Sequence, residues 1–317
     1  MKLQFIISTS TNPYLNVSVE NYILQQPLKD TVTLYLWKNH RTVVIGQNQN
    51  PYSECNVNLL EEDGGYVMRR KTGGGAVYHD DGNINFSFIA SHDLYDQNRQ
   101  FSVIKRAVQT YGLEIELSGR NDILCQGRKF SGNAFSKGRY QNLHHGTILI
   151  KGNMEDLQRY LKVKPAKLQK HGVKSVQSRV VNLSELAPVT SENIVGPLHL
   201  AFEQEYGDTA QILDYDTIIK IPEVQTLYNE FSSDEWLFAK WRNFNTHQVA
   251  QFPWGNVEIS IDIDQQRQII NHIEIATDAL DVDLVAQAKI FFEGADIHYP
   301  PETDNVFLKD IISIIYN

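Results

Sequence analysis

The sequence predicts an α+β fold with one large domain and one small C-terminal domain. Extended and helical segments alternate over the first two-thirds of the chain without forming a regular βαβ repeat. Near residue 257 a strand with strict period-two alternation begins, and two helical patterns close the chain. With 317 residues, of which 42% are apolar, the chain can bury a large core.

Hydrophobic periodicity places the elements of the large domain. Residues 1–10 resemble a strand more than a signal peptide. Further strands are predicted at residues 33–38, Thr42–Ile45, 83–90 and 143–150. Helices are predicted at residues 17–25 and 101–111. In the second helix Phe101, Ile104 and Val108 recur at the spacing that places side chains on one buried face.

The small domain follows a polar segment, residues 234–254, which contains three tryptophans and a Pro-Trp-Gly turn and which we interpret as an inter-domain connection. Val257, Ile259 and Ile261 then alternate with polar residues, as in a strand with one buried face. A second strand is predicted at residues 269–276, and helices at residues 281–292 and 305–316. We therefore expect domains at residues 1–245 and 246–317.

Composition excludes several classes of protein. A net charge of −9 disfavours broad binding to nucleic acid, and no segment is long and apolar enough to span a membrane. The two cysteines, Cys55 and Cys125, do not form the disulfide framework of a secreted scaffold and favour a cytoplasmic protein. Residues 157–180 run against the average, with seven Lys or Arg and no Asp or Glu. They form either a solvated face or a surface for phosphates or an acidic partner.

The most unusual segment is RRKTGGGAVYHD at residues 69–80. Three consecutive glycines let a backbone come close to a ligand, and their N–H groups can cradle an anion. The neighbouring cations and the hydroxyl of Thr72 add charge and donors suited to a phosphate or carboxylate. A glycine run between neutral flanks would more often be a flexible turn. The segment fits neither the P-loop nor the Rossmann fingerprint.

Two further clusters lie downstream. Residues 119–134 combine basic side chains with glycine turns, where Lys129 on a strand edge could point into a cleft and stabilise developing negative charge, although a solvated surface hairpin has the same pattern. His144 and His145 open an apolar strand, and adjacent strand residues face opposite sides, so a regular strand cannot bring both to one metal. One of them is expected to pack as a hydrogen-bonded histidine.

Taken together, these segments resemble the lipoate-protein ligase A family of the biotin/lipoate protein ligase superfamily. The family pattern R-R-x-[ST]-G-G-G-A-V-x-H-D-x-G-N is followed by R-N-D, R-K-x-S-G-x-A and H-H-G-T, and all four occur here in that order. Weaker similarity runs from residues 48–51 to residues 174–183 and 254–258. The chain departs from the family at residues 236–242, which lack a usual Gly and Pro, and at Ser136, where some relatives have Arg.

The resemblance implies a biotin/lipoyl-ligase-like catalytic domain with mixed β-sheets flanked by helices, followed by a small α+β accessory domain. It implies ATP, Mg²⁺ and lipoate as ligands, with Lys129 contacting both the lipoyl carboxyl and the α-phosphate and Asp122 as a metal ligand. The nucleotide would be contacted by Arg70, Gly75, Ala76, Val77 and Tyr78. The same pocket would be lined by Thr72, Gly73, Gly74, His79, Asn83, Asn121, Ser131, Gly132 and His145. An apolar slot for the acyl chain would draw on Val44, Val77, Phe86 and Phe88 unless they pack in the core.

The activity that the resemblance implies is ATP-dependent ligation. Lipoate becomes lipoyl-AMP with release of pyrophosphate, and the lipoyl group then passes to a lysine of an apo lipoyl domain, as in 2-oxoacid dehydrogenase acyltransferase subunits and glycine cleavage H protein. The basic residues 157–180 would close over the adenylate or meet an acidic acceptor.

Two alternatives remain. One is a cysteine-dependent octanoyl or lipoyl acyltransferase that uses Cys125, although the apolar run around this thiol favours a buried, inert group. The other is an inactive lipoate-binding protein, which the presence of Lys129 and the complete glycine-rich segment disfavour.

Overall fold

The computed structural model describes residues 1–119, 121–162, 180–238, 246–264 and 266–316. The chain divides into two compact units, each assembled from three separate stretches. The larger unit comprises Met1–Val44, Cys55–Met68 and Val77–Ser233. The smaller unit comprises Ile45–Glu54, Arg69–Ala76 and Asp234–Asn317. Within the described part of the chain, every helix is too short or too polar to cross a bilayer.

An eight-stranded mixed sheet forms the centre of the larger unit. Its strands are β1 (Lys2–Ile7), β2 (Thr31–Trp37), β6 (Asn83–Ser91), β7 (Ile115–Ser118), β8 (Asp122–Cys125), β9 (Arg128–Lys137), β10 (Gln141–Leu149) and β11 (Ala210–Ile212). They lie in the order β11-β1-β2-β6-β10-β9-β8-β7. Strand β1 is parallel to both of its neighbours, and the remaining pairs are antiparallel. A separate three-stranded sheet has the order β4 (Tyr66–Arg69), β3 (Thr42–Ile45), β5 (Val77–His79).

Helices cover both faces of the eight-stranded sheet. The helices of the larger unit are α1 (Pro13–Gln25), α3 (Val57–Glu62), α4 (Gln97–Gln109), α5 (Met154–Tyr160), α6 (Val195–Tyr206), α7 (Tyr215–Ile218) and α8 (Pro222–Phe231). Apolar residues of α4 and α6 share one buried cluster with Phe86 and Phe88 of β6. On the opposite face, Glu20 of α1 reaches the sheet. Asn12 caps α1 by accepting hydrogen bonds from two N–H groups of its first turn, which Pro13 begins.

The smaller unit contains an antiparallel sheet with the strand order β12 (Thr246–Phe252), β13 (Gly255–Asp264), β14 (Ile269–Thr277). Its helices are α2 (Pro51–Glu54), α9 (Asp234–Phe238), α10 (Asp283–Phe292) and α11 (Val306–Ile315). Val257, Ile259 and Ile261 point into one core with Phe292 and Ile311. The period-two pattern therefore identified the buried face of β13 correctly.

The predicted α+β class is confirmed, and the predicted strands and helices are present with shifts at their ends. The interpretation of residues 234–254 as a connection is wrong in part, because β12 occupies Thr246–Phe252 and gives the small sheet a third strand. This strand is polar and lies at the edge of the sheet, so it lacks the alternating apolar pattern that marks β13.

Candidate functional site

The predicted catalytic lysine lies at the start of β9, in the β8–β9 hairpin. Gln126 and Gly127 form the turn, both with positive φ. Lys129 Nζ lies 2.7 Å from Asp122 Oδ1 on the neighbouring strand, and both side chains are about one-third exposed, at 36% and 35%. A partly solvated ion pair of this kind is weak, so the ammonium can exchange its carboxylate partner for a ligand anion at little cost.

Gly132 makes room for this lysine. A Cβ at Gly132 would lie 3.1 Å from Lys129 Nζ, so the ammonium rests over bare backbone. The Gly132 N–H donates to Thr147 Oγ1 on β10 over 3.1 Å. Gly132 and Thr147 continue the β9–β10 register, and register partners project to the same side of a sheet. Because Lys129 Nζ lies over Gly132, it is on the same face of the sheet as Thr147.

Other residues of the same motifs form hydrogen bonds on the face of the sheet opposite Lys129 and stabilise the β8–β9 hairpin. Asn121 and Asn133 exchange side-chain amide hydrogen bonds with each other's backbone carbonyls, over 2.9 and 3.1 Å. Ser131, almost fully buried, lies 3.3 Å from Asn133 Nδ2. Asn133 Oδ1 is 3.0 Å from the His144 ring, and Gln100 Oε1 is 2.9 Å from its other nitrogen. The side chains of Asn121 and Ser131 therefore support the hairpin rather than accompany Lys129.

Burial determines the charge of His144. Its ring is enclosed by aromatic side chains, and burial, together with neighbouring His145, lowers its pKa to about 3. His144 is therefore neutral at physiological pH and fits the expected hydrogen-bonded core histidine.

A second group of side chains lies on the same face of the sheet as Lys129. We call it the polar face and define it by Trp37, Asn85, Ser87 and His145, which are buried, and Thr147, which is partly buried. The register pairs Trp37 with Asn85, Asn85 with Thr147, and Ser87 with His145.

One carboxylate organises part of the polar face. Glu20 Oε2 accepts from Ser87 Oγ over 2.5 Å and lies 2.9 Å from His145 Nδ1. Trp37 Nε1 donates to Ser87 Oγ over 3.0 Å. A charge-assisted, hydrogen-bonded cluster of this kind satisfies buried polar groups that would otherwise destabilise the fold.

Predicted pocket residues His79 and Asn83 adjoin the polar face. The His79 ring lies edge-on to Trp37, with centroids 6.3 Å apart, and its Nδ1 is 3.3 Å from Asn39 Nδ2. Asn83 Nδ2 donates to Asn85 Oδ1 over 2.9 Å. The structure thus brings His79, Asn83 and His145 to one buried region of the larger unit.

Neighbouring motif positions serve the fold. Asp80 accepts hydrogen bonds from Gly82 N and from Asn153 N at the start of α5, over 2.8 and 2.7 Å. A Cβ at Gly82 would lie 2.0 Å from Lys151 O, so only glycine fits there. Tyr78 is buried against Tyr160, and burial raises its pKa well above the ordinary value.

In the smaller unit, the first cation of the glycine-rich segment is structural. Arg69 is 1% exposed, and its guanidinium donates to the carbonyls of Gly46, Gln47, Gln49, Trp236 and Leu237. Burial lowers the Arg69 pKa to about 10. The expectation that all three adjoining cations serve a ligand is therefore wrong for Arg69, because its donors are used to join loop 46–49 to α9.

Arg70 holds the next turn of the segment. Its Nε donates to Thr72 Oγ1 over 3.0 Å, and its Nη2 donates to Gly73 O and Gly75 O over 2.8 and 2.9 Å. These bonds curl the glycine run around one guanidinium, so Arg70 and Thr72 shape the backbone that was predicted to meet the nucleotide.

The three glycines differ in what surrounds them. A Cβ at Gly73 would lie 2.2 Å from Ala279 O and 2.6 Å from Leu280 O, within the same unit. Gly74 has φ +96°, and its N–H donates to Ala279 O over 3.1 Å. Gly75 is exposed, and a Cβ there would meet nothing within 4 Å. Close packing within the protein accounts for Gly73 and Gly74, whereas Gly75, followed by the partly exposed Ala76 and Val77, remains open to a ligand.

The remaining expectations concern the acyl-chain slot, Cys125, metal binding and two segments of the chain. Phe86 and Phe88 belong to the apolar core under α4 and α6, as expected if they pack in the core, and Val44 is buried. Cys125 lies in the same core, where burial raises its thiol pKa. Among the described residues no group of three or more His, Cys, Asp or Glu is arranged to hold a metal ion. Most of the basic stretch 157–180, and residues 239–242 of the segment that departs from the family pattern, lie outside the described residues.

Sequence reasoning missed Glu20, Trp37, Asn85 and Thr147, which accompany the predicted residues on the polar face. A signal was available. Polar and apolar residues alternate along β6, yet all nine residues of β6 are buried, so its polar side faces protein or ligand rather than water. Alternation alone could not distinguish that arrangement from a strand with one solvated face.

Two family models match the chain. The model of the lipoyl protein ligase A/B catalytic domain matches residues 12–203. The model of the bacterial lipoate protein ligase C-terminus matches residues 242–300.

Individual relatives agree with these models. A lipoate-protein ligase A of Psychrobacter cryohalolentis is 38% identical over 307 residues, which cover 94% of this chain and 89% of that protein. A lipoate-protein ligase A of Bdellovibrio bacteriovorus is 36% identical, covering 88% and 84% of the two chains. The crystal structure of P. falciparum LipL1 in complex with lipoate aligns over 98% of both chains, with a TM-score of 0.82 and 31% identity.

Proposed function

Because this chain belongs to the lipoate-protein ligase family, we propose that it activates lipoate with ATP and transfers the lipoyl group to a lysine of an acceptor protein. The observation that carries this proposal is the placement of Lys129. Its ammonium is partly exposed, rests over the bare backbone of Gly132, and lies beside the buried polar face. An accessible cation held at the edge of a partly buried site suits a reaction between two anions.

In the first half-reaction a lipoate carboxylate oxygen attacks the α-phosphorus of ATP. The bond from that phosphorus to the bridging oxygen breaks, and pyrophosphate leaves. Lys129 is proposed to contact both the carboxylate and the α-phosphate, which reduces their mutual repulsion and stabilises the charge of the transition state. Gly132 allows this approach because it places no side chain beneath the ammonium.

The glycine-rich segment is proposed to contact the nucleotide. Gly75, Ala76 and Val77 are exposed or partly exposed, and Arg70 fixes the backbone that presents them. Backbone N–H groups in such a turn can approach phosphate oxygens closely. His79, Asn83 and His145 are proposed to line a pocket of the larger unit for the acid substrate, with Thr72, Gly73 and Gly74 supporting the glycine-rich segment.

Asp122 is the candidate ligand for Mg²⁺. It is partly exposed beside Lys129, and the described residues contain no group of three or more His, Cys, Asp or Glu that could hold a metal ion. This donor set suits a magnesium ion that arrives with ATP, since such ions are held by substrate phosphates, water and one or two carboxylates. When bound, the ion would neutralise phosphate charge, and Asp122 would be its ligand from this chain.

In the second half-reaction the acceptor lysine nitrogen attacks the acyl carbon of lipoyl-AMP, the amine loses a proton, and AMP leaves. We propose that the acceptors are apo lipoyl domains, in 2-oxoacid dehydrogenase acyltransferase subunits and glycine cleavage H protein, and that the protein works in the cytoplasm. Both cysteines are buried, which argues against a thioester mechanism through Cys125.

The test is lipoate-dependent release of pyrophosphate from ATP by the wild type, Lys129→Ala and Lys137→Ala. Lys137 ends the same strand and is exposed, so it controls for loss of a surface charge on β9. We expect release by the wild type and Lys137→Ala, and a loss of at least about a hundredfold in Lys129→Ala. The folded wild-type protein failing to release pyrophosphate, with acceptor present, would contradict the proposal.

A further inference from the structure

The Asn85 side chain has an unused hydrogen-bond donor. Asn85 is 2% exposed, and its Oδ1 accepts from Asn83 Nδ2 over 2.9 Å. Its Nδ2 has no hydrogen-bond partner among the described residues. Buried amide N–H groups are nearly always paired, because an unpaired one loses its bond to water without replacement. An unpaired donor in a buried polar cluster therefore points to a missing acceptor.

Strand register places this donor on the same side of the sheet as Lys129. Asn85 on β6 pairs with Thr147 on β10, so their side chains project to the same face. Thr147 Oγ1 in turn accepts from Gly132 N, above which Lys129 Nζ lies. Adjacent strands are about 4.8 Å apart, so β6 and β9 are separated by about 10 Å across β10.

A carboxylate above Thr147 would lie between the two donors. Its two oxygens can accept from different groups, and each hydrogen bond adds about 3 Å between heavy atoms. Such a ligand would reach toward the Lys129 ammonium on one side and toward the Asn85 amide on the other. Trp37, the register partner of Asn85 on β2, supplies an apolar ring next to this position.

We propose that the Asn85 amide donates a hydrogen bond to a carboxylate oxygen of the acid substrate and so positions it for attack on ATP. The inference rests on the proposed function and adds a residue to it. Asn85 acts as a positioning residue for the acid, and Lys129 remains the group that meets both reactants. Lipoate carries one strong acceptor group, its carboxylate, because the sulfurs of its dithiolane ring accept hydrogen bonds only weakly.

The first measurement is equilibrium binding of lipoate and of octanoate, without ATP, to the wild type, Asn85→Ala and Asn85→Asp. Octanoate shares the carboxylate and an aliphatic chain with lipoate but has no sulfur. We expect Kd for both acids to rise about tenfold in Asn85→Ala and at least as much in Asn85→Asp, since loss of one buried hydrogen bond has this size. In turnover, KM for lipoate should rise while KM for ATP stays unchanged.

Ser91→Ala is the matched control. Ser91 is on the same face of the same strand, six residues from Asn85, and its buried Oγ also lacks a partner among the described residues. We expect wild-type binding and turnover from this variant. Wild-type affinity for lipoate in both folded Asn85 variants would overturn the inference, as would a loss confined to lipoate with octanoate unaffected.

Failure of the inference can be told apart from failure of the proposed function. Lipoate-dependent pyrophosphate release by the wild type tests the function without reference to Asn85. Asn85→Asp keeps an acceptor for Asn83 Nδ2, so it separates loss of the donor from disruption of the Asn83 contact. If Asn85→Ala does not fold, the Asp variant alone decides the outcome.

Discussion

Replacing Gly73 with alanine should destabilise the smaller unit, whereas the same change at Gly75 should not. The two positions have the same residue, lie two apart in one segment, and differ in their surroundings. At Gly73 the added methyl would lie 2.2 Å from Ala279 O and 2.6 Å from Leu280 O, and at Gly75 it would meet nothing within 4 Å.

The size of the effect follows from this geometry. Ordinary contact with Ala279 O requires a retreat of about 1 Å, because contacts below 3.4 Å are already tight. Overpacking of this kind costs about 1–3 kcal/mol, and loss of the Gly74 N to Ala279 O hydrogen bond adds about 1 kcal/mol. Alanine also restricts the unfolded chain more than glycine does, which offsets about 0.4–1 kcal/mol of this cost. The net loss for Gly73→Ala is about 2 kcal/mol, or about thirtyfold in the unfolding equilibrium.

Urea unfolding and amide hydrogen exchange measure the two consequences. Gly73→Ala should lower the unfolding midpoint and speed exchange of the Gly74 amide. Gly75→Ala should leave the midpoint unchanged or slightly raised, and should raise KM for ATP if Gly75 contacts the nucleotide as proposed. Unchanged stability together with unchanged Gly74 exchange in Gly73→Ala would refute the reasoning, because it would mean that the Ala279 loop does not hold the glycine run.

Three further predictions concern buried groups. Arg69→Lys should cost about 2–4 kcal/mol in urea unfolding, because an ammonium has three donors for carbonyls that now receive five hydrogen bonds; an unchanged midpoint would contradict the structural role. Burial lowers the pKa of His144 in the folded protein to about 3, so below pH 6.5 the unfolded chain binds a proton that the folded chain does not. The contribution of His144 to the free energy of unfolding is therefore complete above pH 6.5 and should fall by about 1.4 kcal/mol per pH unit between 6.5 and 3. The pH dependence of unfolding should therefore flatten in His144→Gln, and identical slopes would count against it. Cys125→Ser should retain lipoyl transfer while losing about 1 kcal/mol of stability; folded protein without transfer would favour the acyltransferase.

Periodicity predicted those parts of the fold that have one buried and one solvated side. The bounds of β3 were predicted as observed, and β13 and α4 were found from their apolar faces. Strand β12 was missed because an edge strand with polar residues carries no such pattern. Apolar residues recur every three to four positions in a half-buried helix and every two positions in a half-buried strand. This spacing cannot identify an element that buries few apolar side chains.

The motifs indicated which segments form the candidate site but did not show the role of each residue in them. Arg69 and Arg70 are adjacent and identical in sequence, yet the first bonds loop 46–49 and α9, and the second curls the glycine run. Asn85 was overlooked because its importance comes from register with Thr147, more than sixty positions away in the chain. Relations between distant strands depend on tertiary pairing, which a single sequence does not reveal.

The pairing of β1 with β11 has a consequence for synthesis of the chain. Leu3 lies beside Ala210 in the parallel register, so one edge of β1 stays uncovered until more than two hundred residues have left the ribosome. An apolar strand with a free edge is prone to pair with other chains. The nascent protein should therefore depend on chaperone protection more strongly before residue 212 emerges than after it.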